Sequence, residues 1–245
     1  MVAESIKEIF NEIEDEERAL NRKLRQEPLT REFLQNLFSN SLFISALNQA
    51  RKRLLSEHAE HSIIVYKRVG SKNFRFVERW GLARAELDDI GFREDPSAHV
   101  STGDKSEELQ QARIDPEKFV RIGNFHTHPA GINWFSPHDM EEYDNYALGL
   151  RGSSHVIIPF AYEMFEMLGS IPYHSKDSFE LFGFSMPLRG QKSNLYQEKD
   201  FESAEDMEQV LRTCGFRTAR VRLPVEKGKI IITSKELRQL SNIGN

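Results

Sequence analysis

The chain has 245 residues, 39% hydrophobic and 29% charged, which is the make-up of a folded globular protein with one sizeable core or two small domains. A net charge of −5 gives the whole chain no electrostatic footprint for nucleic acid or an anionic membrane, and the single cysteine, Cys214, excludes an internal disulfide framework and a multi-thiolate zinc site within one chain. No stretch approaches the roughly 18 apolar residues of a membrane span, and the acidic amino-terminal residues lack an apolar signal core, so the expected compartment is the cytoplasm.

Residues 1–56 read as a helical amino-terminal extension. Ile6, Ile9, Phe10 and Ile13 fall at helical spacing, Pro28 breaks the pattern, and Phe33, Leu34, Leu37 and Phe38 restart it. A further helix over 42–55 ends in basic residues. The texture changes near residue 60. Ile63 to Tyr66 and the alternating run 73–80 read as two strands joined by a turn at Val69-Gly70-Ser71-Lys72. Residues 81–116 are polar and weakly periodic, too long for an ordinary loop, and read as a functional or mobile insertion. Strands are expected at 119–125, 155–160 and 179–184, and helices at 137–150 and 204–211. A last strand is expected at 229–233. Strands alternating with helices argue for an α/β fold, an α+β sandwich built on a mixed, curved sheet flanked by helices. The core would span 57–189, with a small α+β carboxyl-terminal extension at 190–245.

The informative segment is Gly123-Asn124-Phe125-His126-Thr127-His128-Pro129, six further residues, then Ser136-Pro137-His138-Asp139. Residues i and i+2 of a strand point to one face, so His126 and His128 can aim at a single point. Neutral imidazole is a good zinc ligand at about 2.0–2.1 Å. Ser136-Pro137 is a strong helix start, with serine at the N-cap and proline at the first helical position. Asp139 then hangs its carboxylate over the helix mouth. Two imidazoles and a carboxylate leave a tetrahedral zinc one open position for water, the pattern of a catalytic site. Ser136 and Asp139 also read as a variant capping box, and a lone His-x-His is often just two partly exposed histidines. The joint pattern is rarer: composition alone yields it on the order of once in ten thousand such chains. Capping and metal binding can coexist, because the metal needs only one carboxylate oxygen.

His126-Thr127-His128-Pro129 followed by Ser136-Pro137-His138-Asp139, with Trp134 two residues before the serine, resembles the signature of the JAMM (MPN-plus, Mov34/PAD-1) zinc metalloprotease family. The resemblance covers roughly residues 57–185 and implies a JAMM/cytidine-deaminase-like core holding one Zn2+ per chain. It also implies a glutamate at the start of an upstream strand, which binds and deprotonates the attacking water. Glu60, directly before the Ile63 to Tyr66 run, fits that place; Glu57, on the preceding helix, and Glu78, late in the second strand, are its rivals. Ser136 would be the family's oxyanion donor. His138 reads as surface or supporting, His155 as a packed or supporting histidine rather than a ligand, and His58, His61, His99, His174 and Cys214 have no argued role.

The resemblance implies hydrolysis of an isopeptide or peptide bond, at the carboxyl-terminal tail of a ubiquitin-like or sulfur-carrier-like protein. The 81–116 insertion would suit a flap over such a tail. Two other readings stand beside it, a non-catalytic scaffold of the same fold and a zinc hydrolase of a small-molecule or nucleic-acid substrate. Residues 212–238 carry eight basic and two acidic residues, a local +6. They would serve an acidic partner, or more simply form the solvated side of a small sheet, since no interleaved aromatics support base stacking. Neither a membrane nor a nucleic-acid partner is expected.

Overall fold

The computed structural model describes residues 29–57, 59–68, 70–80, 86–88, 91–93, 114, 118–128, 132–136, 139–140, 161–172, 175, 177–185, 201 and 203–244. The expected helix near the amino terminus, most of the one at 137–150 and the expected strand at 155–160 lie outside these residues.

The described residues begin with two helices. In α1 (Arg31–Phe38) the Thr30 side chain accepts a hydrogen bond from the Phe33 amide at 3.1 Å. Asn40 does the same for α2 (Ser41–Glu57), its Oδ1 accepting from the amides of Leu42 and Phe43. Each side-chain oxygen satisfies donors that the first helical turn leaves free. Phe43, Ala46, Leu47, Ala50 and Leu54 then bury one face of α2.

The strands β1 (His61–Arg68), β2 (Phe74–Trp80), β5 (Phe119–Thr127), β6 (Ala161–Ser170), β7 (Ser178–Ser185), β8 (Arg217–Glu226) and β9 (Lys229–Ile230) form one mixed sheet in the order β2-β1-β5-β6-β7-β8-β9. Among the described residues only β5 and β6 pair in parallel. A parallel pair requires a long crossover, and this one carries Ser136 and Asp139. Within the polar insertion, β3 (Glu86–Asp88) and β4 (Gly91–Arg93) form a separate two-stranded hairpin.

The pleat gives the sheet two apolar faces. Ile63, Val65, Phe125, Phe165, Met167 and Leu181 pack with α1 and α2. Leu168, Phe182 and Phe184 pack on the other face with Phe135, Met140 and the buried side of α3 (Ala204–Thr213). A register shift between Arg121 and Gly123 puts Ile122 and Phe125, three residues apart, in the same core, so Asn124 and His126 point to the opposite face. Gly169 is required by close approach: a Cβ there would meet the Phe179 ring at 2.5 Å and the Phe125 ring at 2.6 Å.

Three elements differ from the sequence reading. β6 covers a segment for which no strand was expected, and β8 pairs with the whole of β7 through Arg217 to Pro224, so residues of the 190–245 segment extend the same sheet. β9 stops at Ile230, short of the expected 229–233, because Thr233 turns to cap α4 (Ser234–Leu240) in a capping box with Glu236. The basic segment is partly neutralised by its neighbours: Arg212 pairs with Glu208, Arg220 with Glu205, and Arg222 with Glu180. Among the described residues no helix is long and apolar enough to cross a membrane.

Candidate metal centre

β5 ends in Phe125-His126-Thr127 with His128 directly after it, and the alternation turns both imidazoles to the face opposite α1 and α2. The chain returns to them through Phe135, which is fully buried, lies edge-on to the His126 ring at 5.6 Å, and donates its amide N–H to the Met207 sulfur. That anchor sets the next residue, Ser136, as a helix cap. The Asp139 amide donates to Ser136 Oγ at 3.2 Å, and the Ser136 amide and hydroxyl donate to Asp139 Oδ2 at 2.6 and 2.7 Å. The reciprocal bonds hold the aspartate over the histidines. Capping and convergence therefore occur together.

Three donor atoms meet. His126 Nε2 lies 3.2 Å from His128 Nε2 and 3.5 Å from Asp139 Oδ1, and His128 Nε2 lies 3.2 Å from Asp139 Oδ2. Two ligands each about 2.0–2.1 Å from a tetrahedral ion stand roughly 3.3 Å apart. The observed separations match that spacing, so the donor atoms of His126, His128 and Asp139, all within 4.8 Å of one another, fit a small divalent ion such as zinc.

Behind His126 sits Glu166 of β6, only 3% exposed. Its Oε1 accepts from His126 Nδ1 at 3.0 Å and from Asn124 Nδ2 at 2.8 Å, while Asn124 Oδ1 accepts from Ser62 Oγ at 2.8 Å. A carboxylate holding Nδ1–H leaves Nε2 as the free lone pair, which is the tautomer a metal requires. Nδ1 of His128 finds no hydrogen-bond partner among the described residues.

The electrostatics favour positive charge among the three donors. Burial pulls the His126 imidazole down, but the Asp139 and Glu166 carboxylates outweigh it and hold it well above its usual value. Burial pushes Asp139 up, and His126 and His128 more than reverse this, leaving it well below the carboxylate range. Glu166 is pushed up to about 7 by burial, against the opposing pull of His126 and Arg121. A cage that retains a proton between two imidazoles and a carboxylate has the charge balance for a cation.

Glu60 is brought to the same place. The His61 amide donates to the buried Thr127 hydroxyl at 2.9 Å, tying the start of β1 to the end of β5. Glu60, 8% exposed, thereby sits with Oε1 3.8 Å from His128 Nε2. The rivals lie elsewhere. Glu57 ends α2 and accepts from Arg53 at 2.6 and 2.9 Å. Glu78 stands opposite Ile63 on the helix-packed face, with Oε2 3.2 Å from His61 Nε2. His58, His99, His138, His155 and His174 lie outside the described residues.

Glu166, Asn124, Ser62 and Thr127 are the supporting residues that the sequence reading did not assign. The signal for Glu166 was a lone carboxylate inside an apolar run, Met164-Phe165-Glu166-Met167-Leu168. Compared with models of protein families and with curated proteins, the chain matches none.

Proposed function

We propose that this protein is a zinc-dependent metallopeptidase of the JAMM type, hydrolysing an isopeptide or peptide bond at the tail of a ubiquitin-like or sulfur-carrier-like protein. The observation that carries the reading is the convergence of His126, His128 and Asp139 at metal-ligand spacing with a fourth acidic residue, Glu60, beside His128. The peptide-tail substrate rests on the motif resemblance.

When bound, a divalent zinc would act as a Lewis acid and bring the pKa of water near neutrality. Glu60 would take a proton from the attacking water and return it to the leaving nitrogen, a role its 3.8 Å distance from His128 Nε2 supports. Ser136 would donate a hydrogen bond to the developing oxyanion by turning its hydroxyl from Asp139 Oδ2, which it now holds. Glu166 keeps His126 in its liganding orientation, and the wall of Phe135, Phe182 and Phe184 limits water from one side.

The test is elemental analysis of protein purified without chelator, followed by incubation with fusions ending in a Gly-Gly tail, with and without a chelator. About one zinc per chain and chelator-sensitive cleavage are expected. Stoichiometric zinc with no cleavage of any fusion would favour the scaffold reading. Absence of metal would remove the enzyme reading.

A further inference from the structure

A polar cleft of about 440 Å3 is lined among others by Asn133, Ser170, Glu180, Glu205, Arg220 and Arg222. Its size falls within the ~300–1,000 Å3 of ligand pockets. The strand register shows where it leads. The His128 amide donates to Gly169 carbonyl oxygen, one residue before Ser170; Ser170 pairs with Glu180, and Glu180 with Arg222. The residues His128, Ser170, Glu180 and Arg222 thus form one row across β5, β6, β7 and β8. Strands lie about 4.8 Å apart, so the row carries the floor roughly 14 Å from His128 to Arg222. An extended peptide covers that span in about four residues.

The cleft has walls and a charged end. Asn133, three residues before Ser136, donates to Glu180 Oε2 at 3.1 Å, so the loop that carries Ser136 forms one wall. Glu205, in the first turn of α3 and paired with Arg220, forms the other. At the far end Arg222 grips Glu180 Oε1 with Nε and Nη2, does not use Nη1 for it, and leaves 65% of its side chain exposed. Glu180 is occupied on both oxygens, and the Arg222 side chain is the more accessible of the two.

We propose that this cleft seats the acyl side of the substrate, the residues preceding the scissile bond, and that Arg222 selects an acidic side chain at the fourth of them. The proposal rests on the peptidase reading, which supplies the direction. Glu60, on the β1 side of His128, must lie next to the leaving nitrogen to return its proton. The amine part of the substrate therefore departs toward β1, and the acyl part extends across β6, β7 and β8. A carboxylate reaching Nη1 gains a charge-assisted hydrogen bond, whereas an ammonium there meets the guanidinium.

The test uses fluorescein-labelled Glu-Ala-Ala-Gly and Lys-Ala-Ala-Gly, the acyl-side products of a model substrate, titrated into the zinc-loaded full chain and followed by anisotropy. The glutamate peptide should bind roughly fivefold more tightly, the effect of a partly exposed charge pair. Arg222→Ala should abolish the preference, and Arg222→Lys should restore part of it, with circular dichroism confirming that both fold. Equal affinity for the two peptides, or a preference that survives Arg222→Ala, overturns the assignment. The coumarin amides of the same peptides separate this from the peptidase reading. Cleavage without discrimination at the fourth residue would refute the cleft alone, whereas a binding preference dependent on Arg222 without cleavage would refute the peptidase alone.

Discussion

Glu166 Oε1 accepts from Nδ1 of His126 at 3.0 Å and so turns the opposite ring nitrogen, Nε2, toward His128 and Asp139. The two residues belong to adjacent parallel strands, and Asn124 secures the same carboxylate oxygen.

Glu166→Gln should lower zinc affinity by roughly 10–100-fold, the effect typical of losing such a supporting partner. The amide oxygen can still accept one hydrogen bond, but it no longer carries the charge that raises the basicity of His126. Competition with a chromophoric chelator reads the affinity directly. Unchanged affinity in a folded variant would mean that Glu166 only fills space.

The same cluster fixes a pH dependence. His126 is raised above 6.5 in the fold, so its contribution to stability is complete below 6.5 and is lost as pH rises through the higher folded value. Glu166 acts in the same direction: its pKa moves from 4.5 to about 7, so stability declines as pH rises through that interval. Asp139, lowered below 3.8, contributes above that value and loses its contribution only as pH falls through its lower folded pKa. Chelator-treated protein should therefore lose melting temperature as pH rises from about 4.5 to about 7, and go on losing it above 6.5 as His126 gives up its proton. Bound metal replaces those protons, so the gap in melting temperature between zinc-loaded and chelated protein should widen over the same range. Differential scanning fluorimetry at a series of pH values checks this; a gap that stays constant would contradict it.

Phe135 anchors the loop that carries Ser136 and Asp139. Phe135 packs on His126, Phe182 and Phe184 and is fully buried. Phe135→Ala should cost about 3–5 kcal/mol of stability. It should also weaken zinc binding, because Ser136 and Asp139 follow directly from the anchor. Chemical denaturation with zinc and with chelator resolves the two effects. A loss of stability with unchanged zinc affinity would show that the loop is positioned by other contacts.

Ser136 carries two roles that one substitution separates. As a cap its loss costs about 1 kcal/mol; as an oxyanion donor its loss costs roughly a hundredfold in turnover. Ser136→Ala should show both, since its hydroxyl lies on the oxygen of Asp139 that faces His128. Turnover and melting temperature are the two measurements. A destabilised variant with full activity would leave Ser136 as a cap alone.

The site was readable from sequence where its geometry is local. His126 and His128 share a strand face by the period of two, and Ser136 with Asp139 closes one helical turn. What stayed hidden depends on pairing between distant strands. Glu166 meets His126 only because β6 lies parallel to β5, a register no local pattern encodes, and the strand expected at 155–160 left no role for the segment that carries it. The row from His128 to Arg222 needs three successive pairings, and β8 reads by composition only as a basic run. Glu60 is intermediate: motif resemblance suggested it, but the contact that sets its position, His61 amide to Thr127 hydroxyl, joins residues 66 apart.

Glu60 can be tested against both rivals in one experiment. Its Oε1 lies 3.8 Å from His128 Nε2, close enough to serve a water at the centre yet outside the three donors that converge there. Glu60→Gln should therefore retain zinc, since the ligand set is intact. Its turnover should fall by roughly 10²–10⁴-fold, because glutamine can hydrogen-bond a water but cannot accept its proton at neutral pH. Glu57→Gln removes an exposed partner of Arg53 at the end of α2, and Glu78→Gln alters a residue on the opposite face of the sheet beside His61. Both should keep near-normal turnover, with Glu78→Gln showing at most a modest change in melting temperature. The three variants are assayed for metal content and for cleavage of one Gly-Gly fusion. Loss of zinc in Glu60→Gln would make Glu60 a ligand rather than a base. Full activity in Glu60→Gln with loss in Glu78→Gln would place the base on β2, which the face assignment forbids, and full activity in all three on a substrate the wild type cleaves would remove a glutamate base from the mechanism altogether.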